Sequence, residues 1–128
     1  MKQVDGFTAE NYNATNWAKL IKESGAKYAI LTAKHHDGVA LWDSKKGDLN
    51  TINKTQAAKD LVTPFVDALR ENHLKVGLYY SLLDWSHPDY PNHLRNKKRY
   101  KDDPEKWSKF VDFNLGQIGE LSQQFNPD

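Results

Sequence analysis

The stretch Tyr28-Ala29-Ile30-Leu31-Thr32-Ala33-Lys34-His35-His36-Asp37-Gly38 decides the fold. Its first six residues form a nearly continuous apolar run, which predicts a strand buried on both faces of a sheet. The polar run that follows, with two adjacent histidines, predicts a loop. Polar groups at the point where a buried strand opens into a loop are typical of the substrate-binding face of α/β enzymes. We therefore expect this loop to carry functional residues.

A helix precedes this strand. Helical spacing predicts it over Ala14–Glu23, with an apolar face made of Trp17, Leu20 and Ile21. Gly25 is a suitable stop. The predicted strand, Tyr28–Ala33, follows directly.

A second helix and a second strand follow the histidine loop. The helix is predicted over Thr63–Asn72, with Asp60 as the earliest start, Thr63 as the cap and Pro64 at the first helical position. Its inner face consists of Phe65, Ala68 and Leu69. The second strand is predicted over Lys75–Ser81.

The third helix has the clearest start. Asp103 is predicted as the cap, Pro104 as the first helical residue, and Glu105 suits the positive end of the helix dipole. Asn126-Pro127 ends the helix. Its apolar positions are Trp107, Phe110, Val111, Ile118, Leu121 and Phe125.

The order helix, strand, helix, strand, helix contains one βαβ unit, so the two strands are expected to be parallel. The loops after parallel strands lie together on one face of the sheet. From the first loop this face would carry His35, His36, Asp37 and Trp42; from the second, Asp84, Trp85, His87, Asp89 and Tyr90.

Composition excludes several classes of protein. A net charge of +1 gives no global attraction to nucleic acid or to an anionic membrane, and the chain has no cysteine for disulfides, thiolate catalysis or cysteine zinc sites. No apolar run approaches the roughly 20 residues that span a bilayer. The start, Met1–Asp5, has no signal-peptide stretch, and the sequence assigns no compartment. A hydrophobic fraction of 38% is low for a free-standing α/β domain and suggests a piece of a larger one.

The pair His35-His36 followed by Asp37 raises the question of a metal site. Zinc ligands are spaced so that several side chains converge, whereas adjacent residues of an extended chain point to opposite sides. We therefore expect no metal, and no cofactor. The sequence also contains no Gly-x-Ser-x-Gly elbow and no glycine-rich phosphate loop.

Hydrogen bonding to a polar, uncharged ligand fits these residues better. Neutral histidine offers one donor and one acceptor, and nearby tryptophan and tyrosine side chains offer flat faces with a polar tip. This mixture suits a sugar. The alternative is that the histidines only satisfy loop backbone, but their position at a strand end favours a ligand.

The remaining histidines and the basic run carry less information. His73 lies between helix and strand and is expected on the opposite, structural side of the sheet. His87 and His93 stay unassigned. The basic stretch Arg95–Lys101 is followed at once by acidic residues, which favours a solvated loop over a nucleic-acid site.

A series of motifs runs through the chain in a fixed order. They are Trp17-Ala18-Lys19-Leu20, Gly25-Ala26-Lys27-Tyr28, Leu31–Gly38, Leu41-Trp42, Asp60-Leu61-Val62, Gly77-Leu78-Tyr79-Tyr80-Ser81, Asp84-Trp85, Pro88 and Tyr90. This series, with its gaps, resembles the α-L-fucosidases of glycoside hydrolase family 29. The resemblance extends from about Phe7 to Asp128.

The resemblance implies a (β/α)8-like, TIM-type barrel that removes α-linked L-fucose from oligosaccharides and glycoconjugates with retention of configuration. It implies that His35 and His36 match the histidine pair that hydrogen-bonds fucose at the barrel mouth. It also implies that one tyrosine of Tyr79-Tyr80 lines the same pocket. Tyr79 is favoured, because alternation places it on one face and Tyr80 on the other.

The resemblance further implies that residues 1–128 are a fragment of one catalytic barrel domain. In this family the nucleophilic aspartate ends the next strand and the acid/base glutamate lies further on. Both are expected beyond Asp128, and the first strand of the barrel is expected before this segment. Asp37 and Asp84 match no catalytic position, so no catalytic residue is assigned.

The implied ligand is a fucosylated oligosaccharide or glycoconjugate. Strands with unpaired edges would make the chain associate with copies of itself or with the rest of the barrel. One alternative is a non-catalytic sugar-binding or interaction module derived from a truncated fucosidase. A metal-dependent hydrolase that uses His35 and His36 is a third hypothesis. The linkage, the natural glycan and the oligomeric state are not assigned.

Overall fold

The structure is a computed structural model that describes residues 4–90, 101 and 103–128. Within these residues the elements follow the predicted order, with one additional short helix. They are α1 (Ala14–Glu23), β1 (Tyr28–Lys34), α2 (Thr51–Lys54), α3 (Val62–Glu71), β2 (Lys75–Tyr80) and α4 (Pro104–Phe125). The five predicted elements are confirmed, with bounds within one residue of those expected.

The two strands form a parallel pair connected through α3, as predicted. The register pairs Tyr28 with Lys75 and Thr32 with Tyr79. Because the strands are parallel, the loops after β1 and β2 leave the sheet at the same edge. The fold therefore brings the histidine loop beside the loop that follows β2.

The described helices cover only one face of this sheet. Ala33 and Val76 lie on the covered face, where Leu69 of α3 packs against them in the core. On the other face, Tyr28 and Ile30 remain 62% and 61% exposed. The prediction that β1 is buried on both faces is wrong here, because its side chains alternate between the core and an uncovered face.

A β-bulge at Ala33 ends β1. Thr32 pairs with Tyr79 and the next pair is Lys34 with Tyr80, so Ala33 has no partner in the ladder. One extra residue reverses the alternation of side chains. Lys34 consequently turns to the covered side of the sheet, where it is fully buried.

Small residues form the inner face of α1. Ala14 and Ala18 are buried, whereas Trp17 and Leu20 are 45% and 67% exposed. Of the predicted apolar face, only Ile21 packs against the core. Alanines on the inner face let α1 lie close to α3, which explains why the larger residues are turned outward.

The carboxylate of Asp60 caps α3. Its Oδ1 accepts the amide hydrogens of Val62 and Thr63 at 2.7 and 3.0 Å, and the Thr63 hydroxyl donates to Oδ2 at 2.7 Å. The predicted cap, Thr63, is therefore wrong, since it lies inside the helix. Pro64 still falls in the first turn, where an amide hydrogen has no partner within the helix. The predicted inner face is buried: Phe65, Ala68 and Leu69.

The start of α4 is confirmed, because the Asp103 side chain accepts the Lys106 amide hydrogen at 3.0 Å. Asn126, with φ 40°, ends the helix in the left-handed region. The buried stripe consists of Phe110, Asn114, Gln117, Leu121 and Phe125. Two amide side chains thus stand in a stripe predicted to be apolar, and the predicted inner residue Ile118 is 37% exposed.

Part of the segment between β2 and α4 is outside the described residues. This applies to His93 and, apart from Lys101, to the basic stretch Arg95–Lys101. Among the helices that the structure describes, none has the length and apolarity needed to cross a bilayer.

The uncovered sheet face predicts that the 128-residue chain self-associates. Tyr28, Ile30 and Tyr79 expose aromatic and aliphatic surface next to a strand edge, and such surfaces bind one another. We expect sedimentation equilibrium to show an average mass that rises above the monomer mass with concentration. Ile30→Lys should shift the chain towards monomer, whereas Leu20→Lys, on the exposed side of α1, should not. A monomeric chain with a cooperative unfolding transition of ordinary stability would contradict this prediction.

Candidate functional site

A buried ion pair joins the ends of the two strands. Lys34 Nζ lies 2.7 Å from Asp84 Oδ2, and the two side chains are 0% and 2% exposed. The ammonium also donates to the Tyr80 hydroxyl at 3.1 Å and lies 5.0 Å from the centre of the Phe113 ring. These contacts replace the water that the charge has lost.

The second oxygen of Asp84 organises the loop after β2. Oδ1 accepts the Ser86 amide hydrogen at 3.0 Å, the Ser86 hydroxyl at 2.7 Å and the His87 amide hydrogen at 2.9 Å. Asp84 thus binds β1 with one oxygen and its own loop with the other. The carboxylate predicted to lie on the site face is instead a structural anchor beneath it.

Burial and hydrogen bonding shift the pKa of Asp84 in opposite directions. Burial raises the pKa of this carboxyl, but hydrogen bonds from Lys34 and Ser86 outweigh burial and hold the pKa below its ordinary value. Burial also lowers the pKa of Lys34, against the attraction of Asp84. The Asp84 carboxyl is therefore ionised at neutral pH, and the two side chains depend on each other for their buried charge.

Tyr80 belongs to the same buried layer. Its hydroxyl lies 2.8 Å from both Asn114 Oδ1 and Gln117 Oε1 of α4. Burial raises the pKa of this phenol, with the negative charges of Asp84 and Glu120 acting in the same direction. The side chain therefore points into the protein, towards α4, and away from the open face of the sheet.

His36 connects the two loops. Its carbonyl accepts the Trp85 amide hydrogen at 2.7 Å, and its Nδ1 lies 2.5 Å from Ser81 Oγ, at the end of β2. The centres of the His36 and Trp85 rings are 5.2 Å apart. The loop after β2 therefore holds both the backbone and the ring of this histidine.

His35 and Tyr79 extend this surface. The rings of His35 and His36 stack with centres 4.1 Å apart, and those of His35 and Tyr79 with centres 5.9 Å apart. Tyr79 is 44% exposed on the open face of the sheet. The structure thus brings together the three residues that the sequence singled out as ligand-binding candidates: His35, His36 and Tyr79.

The stacking of the two histidine rings contradicts the expectation that these adjacent side chains point to opposite sides. Both rings lie on the same side because the chain turns at His36-Asp37 instead of continuing as an extended strand. Among the described residues, no three His, Cys, Asp or Glu side chains are grouped so that they could hold a metal ion.

Gly38 lies where the loop after β1 passes close to the loop after β2, and only a glycine fits there. Its φ is +85°, and a Cβ at this position would lie 2.1 Å from Ser86 Oγ and 2.4 Å from Asp84 Oδ1. Its amide hydrogen closes the turn onto the His35 carbonyl at 3.0 Å. Any side chain here would both strain the backbone and displace the Asp84 carboxylate.

Trp42 does not lie on the site face, contrary to the prediction. It is fully buried, and its indole nitrogen donates to Glu120 Oε2 at 3.1 Å. The same carboxylate accepts the Ser44 hydroxyl and the Lys45 amide hydrogen, each at 2.8 Å. Trp42 therefore fixes the first loop to α4.

His87 and Tyr90 also turn away from the histidine pair. The His87 ring lies 4.4 Å from that of Phe113, and the Tyr90 ring lies 4.9 Å from that of Phe110. Burial lowers the pKa of His87, which favours the neutral ring that packs between these aromatic side chains. Both residues attach the second loop to α4.

Sequence reasoning missed the supporting roles of Lys34 and Ser81. Lys34 was visible only as the first residue of the polar run, and its inward turn depends on a bulge that no residue type in β1 signals. Alternation did place Ser81 on the same face as Tyr79. That alternation was the one available signal that Ser81 could reach a histidine of the neighbouring loop.

Two glycines with nearly the same positive φ provide a matched test of the loop contact. Gly25 has φ +84° with open space around its Cβ position, whereas Gly38 has a crowded one. We expect Gly25→Ala to lower the free energy of unfolding by about 1 kcal/mol and Gly38→Ala by about 3 kcal/mol, because only the latter adds a clash to the strain. Urea unfolding measures both, and equal losses would contradict this interpretation.

The depressed pKa of Asp84 predicts acid sensitivity. Because this pKa is lower in the folded chain than in the unfolded one, the ionised carboxylate stabilises the fold above about pH 4, and the stabilisation is lost as the pH falls further. Asp84→Asn should lower the free energy of unfolding by about 3 kcal/mol at pH 7 and flatten the curve on the acid side.

The matched control for this experiment is Asp37→Asn. Asp37 is exposed, and its Oδ1 accepts the Val39 amide hydrogen at 2.9 Å, a bond that an asparagine can keep. Asp37→Asn should therefore leave the free energy of unfolding at pH 7 within about 0.5 kcal/mol of that of the unaltered chain. If the curve of Asp84→Asn between pH 3 and 7 runs parallel to that of the unaltered chain, Asp84 does not carry the acid sensitivity.

Comparisons with known proteins agree on one family. The alpha-L-fucosidase family profile matches residues 1–128. An alpha-L-fucosidase of Branchiostoma floridae is 40% identical over 124 residues, which cover 95% of this chain and 26% of that protein. This chain therefore spans about a quarter of the length of that relative.

Solved structures give the same result. The alpha-L-fucosidase GH29 of Bacteroides thetaiotaomicron superimposes with a TM-score of 0.86 at 34% identity, covering 97% of this chain and 27% of that one. The alpha-fucosidase of Thermotoga maritima, solved in complex with fucose, superimposes with a TM-score of 0.81 at 38% identity, covering 98% and 29%. The chain belongs to the alpha-L-fucosidase family.

Proposed function

We propose that this chain supplies one side of the fucose-binding site of an α-L-fucosidase. The observation that carries the proposal is the continuous ring surface of His35, His36 and Tyr79 at the loop end of two parallel strands. Imidazole and phenol groups offer hydrogen bonds to sugar hydroxyls from the edges of these stacked rings. The Thermotoga maritima relative with fucose bound supports this choice of ligand. The proposed substrates are fucosylated oligosaccharides or glycoconjugates.

We propose that the complete domain is a (β/α)8-like barrel, of which this chain is a segment. The uncovered sheet face supports this, and so does the share of the three relatives named above that the chain spans, 26–29% of their lengths. So does the outer edge of β2, which pairs with no other strand among the described residues: the Asp128 amide donates to the Val76 carbonyl, and the Asp128 carboxylate accepts the Val76 amide hydrogen, both at 2.8 Å. A further parallel strand would pair at this edge.

A retaining glycosidase needs two carboxyl groups about 5–5.5 Å apart, one as nucleophile and one as acid/base. We assign neither role within residues 1–128. Asp84 is held by Lys34, Asp37 binds the Val39 amide, and Asp128 lies beside the start of β2, away from the histidines at its end. In the proposed enzyme, both carboxylates come from other strands, while His35 and His36 orient the sugar.

The proposal predicts different behaviour for the isolated chain and for a completed barrel. The 128-residue chain should not hydrolyse an aryl α-L-fucoside, because both carboxylates would be missing. A chimera, in which it replaces its counterpart in the Thermotoga maritima fucosidase, should do so. His36→Ala in that chimera should lower kcat/KM by about 100-fold, since a hydrogen bond to the reacting sugar is lost.

His73→Asn is the matched control, because His73 lies between α3 and β2 and has a φ of 55° that asparagine tolerates. It should leave kcat/KM unchanged. Hydrolysis by the isolated chain that His36→Ala abolishes would refute the assignment of the carboxylates. A chimera that binds fucose without turnover would instead favour a non-catalytic sugar-binding module.

A further inference from the structure

Ser81 holds a short contact to the ring of His36. The two atoms, Ser81 Oγ and His36 Nδ1, are 2.5 Å apart, and Ser81 is 2% exposed. The backbone fixes the serine in place, because its amide hydrogen bonds the Lys34 carbonyl at 3.0 Å. This contact leaves Nε2 as the ring nitrogen of His36 that is available to a ligand.

The Ser81 hydroxyl has a single hydrogen, which it can donate either to the Leu83 carbonyl or to His36 Nδ1. The Leu83 amide donates its hydrogen to Oγ at 3.2 Å. The Leu83 carbonyl oxygen, also 3.2 Å from Oγ, can accept the hydroxyl hydrogen. If the hydroxyl proton goes to this carbonyl, Oγ accepts from the Leu83 amide and from a protonated Nδ1, and every group is satisfied. If the proton goes to Nδ1 instead, the Leu83 carbonyl loses this donor.

We propose that Ser81 is a positioning residue that holds neutral His36 as the tautomer with its proton on Nδ1. Nε2 then carries a lone pair and accepts a hydrogen bond from a hydroxyl group of the sugar. The tautomer follows from the contacts of Ser81, while the identity of the ligand rests on the function proposed above. His36 is thereby an acceptor in its neutral form.

With its proton held on Nδ1, neutral His36 discriminates between ligands, because Nε2 can only accept a hydrogen bond. A sugar hydroxyl that donates to Nε2 replaces the water that solvates this lone pair. A fucose analogue that lacks the hydroxyl facing Nε2 leaves the lone pair without a partner, and sites built to bind a hydroxyl reject such analogues strongly. The site should therefore select for a hydroxyl at the sugar position that faces His36.

The tautomer can be measured directly by 15N NMR of the histidine rings in the 128-residue chain. At about pH 8.5, where an ordinary histidine is neutral, His36 should show a protonated Nδ1 and an unprotonated Nε2. Ser81→Ala should convert this signal into that of a tautomer mixture, and Ser81→Thr, which keeps the hydroxyl, should restore it. A proton on Nε2 in the unaltered chain would overturn the proposal, and so would an unchanged signal in Ser81→Ala.

Ser44→Ala is the matched control for the loss of a buried hydroxyl. Ser44 is 3% exposed and donates to Glu120, so it has no part in the contact to His36. Its removal should leave the His36 ring signal unchanged. The tautomer of the unaltered chain decides the proposal even if Ser81→Ala does not fold.

Binding of methyl α-L-fucoside separates this proposal from the function on which its ligand rests. In the Thermotoga maritima chimera, Ser81→Ala should weaken binding by about tenfold, corresponding to one hydrogen bond of about 1.4 kcal/mol. If the unaltered chain shows the predicted tautomer but the chimera binds no fucoside, the proposed function fails while the role of Ser81 stands. If the fucoside binds equally well to the chimera with and without Ser81→Ala, the role of Ser81 in binding is refuted.

Discussion

The buried ion pair between Lys34 and Asp84 is the interaction on which the arrangement of the site depends. Two opposite charges without access to water are costly to separate, so the loop after β2 must return to the end of β1. Two local features make this return geometrically feasible. The bulge at Ala33 turns the lysine inward, and Gly38 leaves room for the carboxylate. With the loops joined in this way, His36 and Trp85 become neighbours.

A second layer of polar contacts fixes these loops to α4. The Tyr80 hydroxyl lies 2.8 Å from the side-chain oxygens of both Asn114 and Gln117, which share its one hydrogen, and Gln117 Nε2 donates to Ser44 Oγ at 3.1 Å. Glu120 takes up the indole nitrogen of Trp42. In the part of the chain that the structure describes, every buried side-chain nitrogen and oxygen atom has a hydrogen-bond partner. A satisfied network of this kind favours one arrangement of the loops over others, so α4 takes part in shaping the site without touching it.

Much of this fold could be predicted from the sequence. Helix caps such as Asp103 and the apolar run of β1 depend on local chemistry, which a single sequence displays directly. The parallel order of the strands, and hence the meeting of the two loops, then follows from topology. Alternation along β2 also separated Tyr79 from Tyr80 correctly, because no bulge interrupts that strand before its end.

The errors share a physical origin in tertiary contacts. The sequence predicts Trp42 at the site because an aromatic residue in a loop suits a sugar, but its indole nitrogen has a partner 78 residues away in Glu120. Asn114 and Gln117 interrupt an apolar stripe because Tyr80 needs partners for a buried hydroxyl. The inward turn of Lys34 depends on Asp84, 50 positions further along the chain. No local pattern reveals such pairings.

A double-mutant cycle on Lys34 and Asp84, measured as affinity for methyl α-L-fucoside in the Thermotoga maritima chimera, tests most directly whether this pair unites the two loops into one site. Lys34→Met and Asp84→Asn should each weaken binding by more than about tenfold, because either change leaves a buried group without its partner. The affinity of the double variant should be no lower than that of the single variant with the lower affinity, since both changes release the same contact. Single variants with unaltered affinity, or losses that simply multiply in the double variant, would contradict the account.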